Sequence, residues 1–271
     1  MTKDRRADLD RLYALLARLD ERVGGARRLG DCTGRMDWPA RGVYLFLAPG
    51  ETRAGSGARR VTRVGTHAVS AGSSTTMWDR VKQHYGTGAR SSAHPHGGNH
   101  RGSVYRRRVG EAFVERYALH DRYPDWGTPR IPEGRERSDV RDEEYPLERR
   151  VSAFLRDQPF LWVDVDDEPG PDSDRAYLER NLIALLSNYS SVRKSSLTDR
   201  TTSCGRVSNR LRTPLYDRSP IDPRRSDWLG DYARSAKIRT SGLWNVEHVE
   251  ESYDPTFLDA FEAAVERTGP V

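Results

Sequence analysis

Residues 41–86, RGVYLFLAPGETRAGSGARRVTRVGTHAVSAGSSTTMWDRVKQHYG, constrain the fold more than any other stretch of the chain. Gly42 to Leu47 mixes small, aliphatic and aromatic residues in the manner of a short β-strand, and Val61 to Ala68 reads as a second strand. The connection carries Gly50, Gly55 and Gly57, so the simplest arrangement is an antiparallel hairpin. A Gly-Ser-Ser-Thr-Thr run then offers an N-cap at Ser74 or Thr75, and MWDRVKQHY follows as a short helix. Arg80 and His84 are four residues apart and project from one face of that helix.

A phenol at Tyr44, a guanidinium at Arg80 and an imidazole at His84 can converge on one patch beside the hairpin. That set suits a phosphodiester, because Arg holds phosphate through two parallel hydrogen bonds while Tyr and His move protons. A purely structural reading makes Tyr44 a half-buried strand residue and Arg80 and His84 solvated helix residues.

On these residues the chain resembles the GIY-YIG nuclease superfamily. Gly42-Val43-Tyr44 stands for the first triplet, Arg63-Val64-Gly65 for the second and Arg80 for the helix arginine, while the Arg80–His84 pair is similar to type II restriction enzymes of this fold. The chain departs from the pattern at Arg63, where the superfamily has its second tyrosine. A later helix, SDRAYLERNLIALLSNY, caps at Asp172 or Ser173 and lines Leu178, Leu182, Leu185 and Leu186 along one side. It carries Glu179 within Leu-Glu-Arg-Asn-Leu-Ile, which resembles the superfamily's metal-binding Glu segment; Asn188 is the candidate for the Asn that follows, somewhat early in spacing.

The resemblance implies an α+β fold: a small three-stranded antiparallel sheet flanked by helices, with N- and C-terminal helical extensions. Residues 1–39 are then an N-terminal helical arm, 40–190 a catalytic core with inserted loops, and 191–271 a C-terminal basic linker and helical extension. The third strand is PFLWVDVDD, and Pro146 opens the helix before it, after an exposed segment over residues 121–146. Residues 4–29 carry Leu9, Leu12, Leu15, Leu16 and Leu19 at helical spacing, a helix that packs on the core or pairs two copies as a homodimer.

The resemblance further implies a metal-dependent endonuclease acting on DNA, with Tyr44, Arg63, Arg80, His84 and Glu179 at the site. Glu179 as sole metal carboxylate suits Mg²⁺ or Mn²⁺, which keep most of their waters. The alternatives are a catalytically silent DNA-binding module, given Arg63, or else an RNA-directed nuclease or a structural protein that uses the basic surface.

Net charge of +5 and a pI near 9.3 fit a polyanionic partner, and the basic residues are nearly all Arg, with only Lys3, Lys82, Lys194 and Lys237 as exceptions. The loop at 86–103 is rich in Gly, Ser, His and Arg, and Asn99, His100 and Arg101 are its candidate DNA contacts. Arg106, in the Arg106-Arg107-Arg108 run of the next helix, joins them, as does Asn188; the Arg-rich stretch at 191–212 is a candidate arm. His248 reads most economically as structural. Cys32 and Cys204 have no Cys-x-x-Cys spacing, which argues against a disulfide framework or a Cys-based zinc site. No run approaches the ~18 apolar residues of a membrane span and no apolar signal segment opens the chain, so the expected location is cytoplasmic.

Overall fold

The structure is a computed structural model that describes residues 5–189 and 222–271, excepting 54, 55 and 92. In chain order the elements are α1 (Arg5–Arg22), β1 (Arg27–Arg28), β2 (Gly42–Thr52), β3 (Arg59–Gly65) and α2 (Met77–Tyr85). They continue with α3 (Val104–Arg116), α4 (Arg137–Arg156), β4 (Pro159–Asp164), α5 (Asp174–Leu186), α6 (Ala236–Ser241) and α7 (Phe257–Arg267). The chain is α+β as expected, and the hairpin, α2, the strand at 159–164 and the helix bearing Glu179 all fall where their patterns place them.

The sheet has four strands in the order β1-β4-β2-β3, every pair antiparallel. The expectation of three strands is corrected by β1, which pairs Arg27 with Phe160 and Arg28 with Pro159. Two residues are too short to show any periodicity. α4 also begins at Arg137, so Pro146 lies inside it rather than at its start. The carbonyl that Pro146 leaves without its N–H belongs to Asp142, whose side chain is 73% exposed, so water can replace that bond.

Both faces of the sheet are buried. Tyr44, Phe46, Phe160 and Trp162 share one face, through the pairings Tyr44 with Trp162 and Phe46 with Phe160, while Val43, Leu45, Leu161 and Val163 fill the other. Helix α5 packs on β2 and β3, and α1 and α7 pack on β4 and on each other. α1 therefore lies against the core, and Arg11 and Arg18 bridge it to Asp259 and Glu262 of α7 at 2.7–2.8 Å. The outer edge of β3 is covered by residues 244–245: Trp244 N–H donates to the Thr62 carbonyl, and Asn245 takes both the N–H and the carbonyl of Val64 through its side chain. An open strand edge is thereby closed to pairing with another chain. No helix among the described residues is long and apolar enough to cross a membrane.

The two triplet glycines are steric requirements. A Cβ at Gly65 would lie 2.4 Å from the Tyr44 Oη, and one at Gly42 would lie 2.1 Å from the Val163 carbonyl oxygen. Tyr44 pairs with Gly65 across the hairpin, so its ring lies over the space that the missing side chain leaves. Gly65→Ala should lower the unfolding free energy by about 2–3 kcal/mol, the cost of forcing a well-packed ring aside. Chemical denaturation measures this, and stability within ~0.5 kcal/mol of the parent would show that the ring moves freely.

Candidate active site

Helix α2 starts at a capping box in which the Thr76 hydroxyl accepts from the Asp79 N–H and the Asp79 carboxylate accepts from the Thr76 N–H. That fixed start directs His84 inward, onto the aromatic face of the sheet. The His84 Nε2 lies 2.9 Å from the Tyr44 Oη, and its Nδ1 lies 2.8 Å from the Ser103 Oγ. Ser103 in turn caps α3 by accepting from the Arg106 N–H. Tyr44 and His84 are both fully buried. Burial first, then the charges of Arg63, Arg80 and Arg106, hold His84 well below the usual imidazole range, so it is neutral.

Arg63 shares the face of Tyr44 and Gly65, two residues along β3. Its guanidinium lies 4.7 Å from the centre of the Tyr105 ring and donates from Nη1 to the Trp244 carbonyl at 3.2 Å. Arg80 is half-buried; its Nη1 donates to Gln83 Oε1 at 2.8 Å, and its Nε has no partner among the described residues. Glu179 is half-buried in α5, with the Thr66 backbone near enough to favour its charged form. Burial pushes its carboxyl above the usual carboxylate range, against the pull of Arg63, His248, the Thr66 N–H and Arg80. The five residues expected at the site are thus brought together: Tyr44 contacts His84, Arg63 and Arg80 act on His84, and both arginines act on Glu179. Glu179 opens onto a cleft of about 660 Å³ that also reaches Asp172, Ser173, Arg180, Glu247, His248 and Glu251.

The comparison with protein families decides the identity. A family model described as the GIY-YIG domain matches residues 3–212 and 212–271, nearly the whole chain. The chain belongs to the GIY-YIG nuclease superfamily. No curated relative and no solved structure matches it. As a GIY-YIG chain it is a nuclease by family, and its two triplets, Arg80 and Glu179 occupy the elements that the motif resemblance assigned to them.

The expected DNA contacts fare differently. Arg106 is wholly enclosed: its Nε and Nη2 bond the Glu148 carboxylate, its Nη1 the His84 carbonyl, and Nη2 also the Ser152 hydroxyl. His100 is buried with Nδ1 at 3.0 Å from Glu148 Oε1 and its ring stacked 4.0 Å from that of Trp126. Arg101 grips Glu144 with both terminal nitrogens, at 2.5 and 2.9 Å. All three side chains are taken up within the fold rather than turned to solvent: His100 and Arg101 tie the 86–103 loop, and Arg106 ties α3, to α4, through Glu144 and Glu148 more than forty residues onward and beyond any local pattern. Asn188 donates from its side chain to the Asp222 carbonyl and from its backbone to the Ser241 carbonyl, and so anchors the chain beyond α5. Asn99, half-buried, accepts from the Arg101 N–H at a short 3₁₀ turn. The Arg-rich stretch at 191–212 lies outside the described residues.

Sequence reasoning missed Ser103, Tyr105 and His67. Ser103 alone had a local signal, as a hydroxyl directly before a helix. His67, two residues past Gly65, is buried with Nε2 3.3 Å from the Ala40 carbonyl and Nδ1 without a partner among the described residues. Burial chiefly, with Arg175 and Arg80, lowers its pKa to about 4.

Two predictions follow from this arrangement of charges. Glu148 stays ionised with a pKa of about 2, burial opposing the charge but His100 and Arg106 overcoming it. Arg106→Ala would leave that carboxylate buried and unpaired, so it should cost about 3–5 kcal/mol of stability. The Arg106→Ala protein, at a temperature where it is still folded, should bind DNA as the parent does; a loss of affinity without loss of stability would restore Arg106 as a DNA contact. His67 refuses a proton that the unfolded chain accepts near pH 6.5. Its contribution to stability is therefore full above about pH 6.5 and is lost as pH falls towards 4, a change of up to about 3 kcal/mol. Unfolding free energy measured across that window should fall less steeply in His67→Gln, and an unchanged slope would remove His67 as the cause.

Proposed function

We propose that this chain is a metal-dependent endonuclease that hydrolyses phosphodiester bonds in DNA, of restriction or genome-defence type. The observation that carries the reading is that Arg63 and Arg80 act both on the hydrogen-bonded Tyr44–His84 pair and on Glu179, a half-buried carboxylate at the wall of an open cleft. Among the described residues no group of three or more His, Cys, Asp or Glu is placed to hold an ion. The donor set is that of a cation that keeps most of its water, and Glu179 is the residue to hold Mg²⁺ or Mn²⁺. Such an ion, when bound, supplies positive charge at the scissile phosphate and its leaving oxygen.

The protein's own groups then divide the work. Arg80 is half-exposed and neutralises charge that builds on the phosphate oxygens, and Arg63 adds a second positive charge behind it. With the His84 Nδ1–H donating to the Ser103 Oγ, Nε2 accepts a hydrogen bond from the Tyr44 O–H, and the lone pairs of the phenol oxygen are left to orient the attacking water. His84 suits this role because it is neutral at working pH. Asn99 is the member of the 86–103 loop kept as a DNA contact, since its side-chain NH₂ group has no partner among the described residues.

A second reading rests on one observation: Tyr44 and His84 are shut off from solvent, while Glu179 and Arg80 are not. A DNA-binding module that retains the fold without cleaving would show the same burial. Plasmid DNA incubated with the chain and Mg²⁺ or Mn²⁺ separates the two readings. Glu179→Gln should lower cleavage on the order of a thousandfold while leaving DNA affinity nearly unchanged. Undiminished cleavage by this variant would remove Glu179 from the mechanism. No cleavage by the parent on modified and unmodified DNA alike would favour the silent module.

A further inference from the structure

Across the cleft from Glu179 stands a histidine that the mechanism above does not use. His248 lies in the loop after the segment that covers β3, and it lines the same cavity as Glu179. Its backbone has φ +61°, in the left-handed region that non-glycine residues adopt only when the surroundings enforce it. Those surroundings are firm: Asn245 is bound to both polar groups of Val64, and the Val249 carbonyl accepts from the Ser187 hydroxyl at 2.7 Å. The imidazole Nδ1 lies 2.8 Å from Glu251 Oε1, and Glu251 Oε2 accepts from the Arg180 Nε at 2.5 Å. Arg180 is the neighbour of Glu179 on α5, so the carboxylate that orients His248 is itself held by the helix that carries Glu179.

A carboxylate on one ring nitrogen fixes the tautomer, leaving the other nitrogen with a free lone pair; protein metal sites orient their histidine ligands in this way. The His248 Nε2 has no hydrogen-bond partner among the described residues, and the side chain is 32% exposed, so it opens to the cleft. His248 also lies near enough to act electrostatically on Glu179.

We propose that His248 is a second protein ligand for the divalent cation held by Glu179, with Glu251 as its orienting carboxylate. The proposal rests on the reading of Glu179 given above. It assigns the C-terminal segment a direct part in the metal centre. It also implies a bias in the choice of ion: an oxygen-plus-imidazole pair favours Mn²⁺ or a later transition metal over Mg²⁺, which takes oxygen ligands.

Mn²⁺ binding to the full-length chain without DNA tests this independently of cleavage. Titration followed by electron paramagnetic resonance should give a bound ion whose spectrum carries ¹⁴N coupling from an imidazole. His248→Ala should abolish that coupling and weaken Mn²⁺ at least tenfold, with Mg²⁺ affinity changing far less. His248→Asn, which tolerates the left-handed backbone, should behave likewise and guards against a folding artefact in the alanine variant. Glu251→Gln should weaken Mn²⁺ by about 10–100-fold while keeping the coupling. If Glu179→Gln abolishes Mn²⁺ binding while both His248 variants bind it as the parent does, without ¹⁴N coupling in any of them, the inference fails and the role of Glu179 stands. If Mn²⁺ binding survives Glu179→Gln, the reading of Glu179 fails and the inference falls with it.

Discussion

The Tyr44 phenol, lying over Gly65 and hydrogen-bonded to His84, fixes where the helices stand on the sheet. The register pairs Tyr44 with Gly65, so the ring has room only because position 65 has no side chain. A phenol oxygen buried this deeply needs a partner, and His84 supplies it from α2. The second nitrogen of His84 then needs its own partner and finds the Ser103 hydroxyl, which caps α3. The His84 carbonyl accepts from Arg106, whose remaining nitrogens bind Glu148 and Ser152 on α4. One satisfied polar atom thus leads to the next from β2 to α2, α3 and α4. In a low-dielectric core, each link is costly to leave unmade.

The same logic changes the meaning of the arginine excess. Taken as composition, it points to phosphate binding. In the fold, part of it is turned inward: Arg53 onto Asp222, Arg60 onto Glu51, Arg106 onto Glu148 and Arg175 onto Asp167, every one of these side chains nearly or wholly buried. Buried pairs of this kind repay their desolvation only when hydrogen bonds satisfy their other polar atoms, and Arg106 and Arg175 meet that condition through backbone carbonyls and hydroxyls. Net charge therefore overstates how many arginines are free to meet a nucleic acid, and Arg80 remains the half-exposed one at the site.

What was legible in the sequence was whatever local pattern controls. The hairpin, α2 and α5 announced themselves through alternation, glycine placement and helical spacing, Tyr44, Arg80 and His84 followed from their places in them, and Glu179 was singled out by the resemblance to the superfamily. β1 was invisible because two residues carry no pattern, and α4 was cut short because Pro146 reads as a helix start wherever no tertiary context is available. The loop at 86–103 is hard to read from sequence for a related reason. Its polar residues look solvent-seeking until Glu144 and Glu148 arrive from a helix more than forty residues later. The position of Glu179 was local information. Its raised pKa was not, since the burial that raises it is a product of the fold, and the Arg63, His248, Thr66 and Arg80 groups that oppose the rise come from three other segments.

Arg63 joins these strands of argument, because the departure from the superfamily pattern is supported by parts of the chain outside the core motif. An arginine in place of the second tyrosine brings a charge that must be accommodated at 7% exposure. Tyr105 of α3 offers its ring face to the guanidinium, a favourable contact for a cation at ~5 Å. The carbonyl of Trp244 accepts one of its N–H groups, and that carbonyl is in place because residues 244–245 run along the edge of β3. The segment that seals the sheet edge is therefore also the one that holds Arg63 where its charge acts on Glu179. A tyrosine at position 63 could neither donate in the same way nor offset the burial of Glu179. The arginine, the edge cover and the half-buried carboxylate are thus coupled through the C-terminal segment, which holds Arg63 in place from outside the core motif.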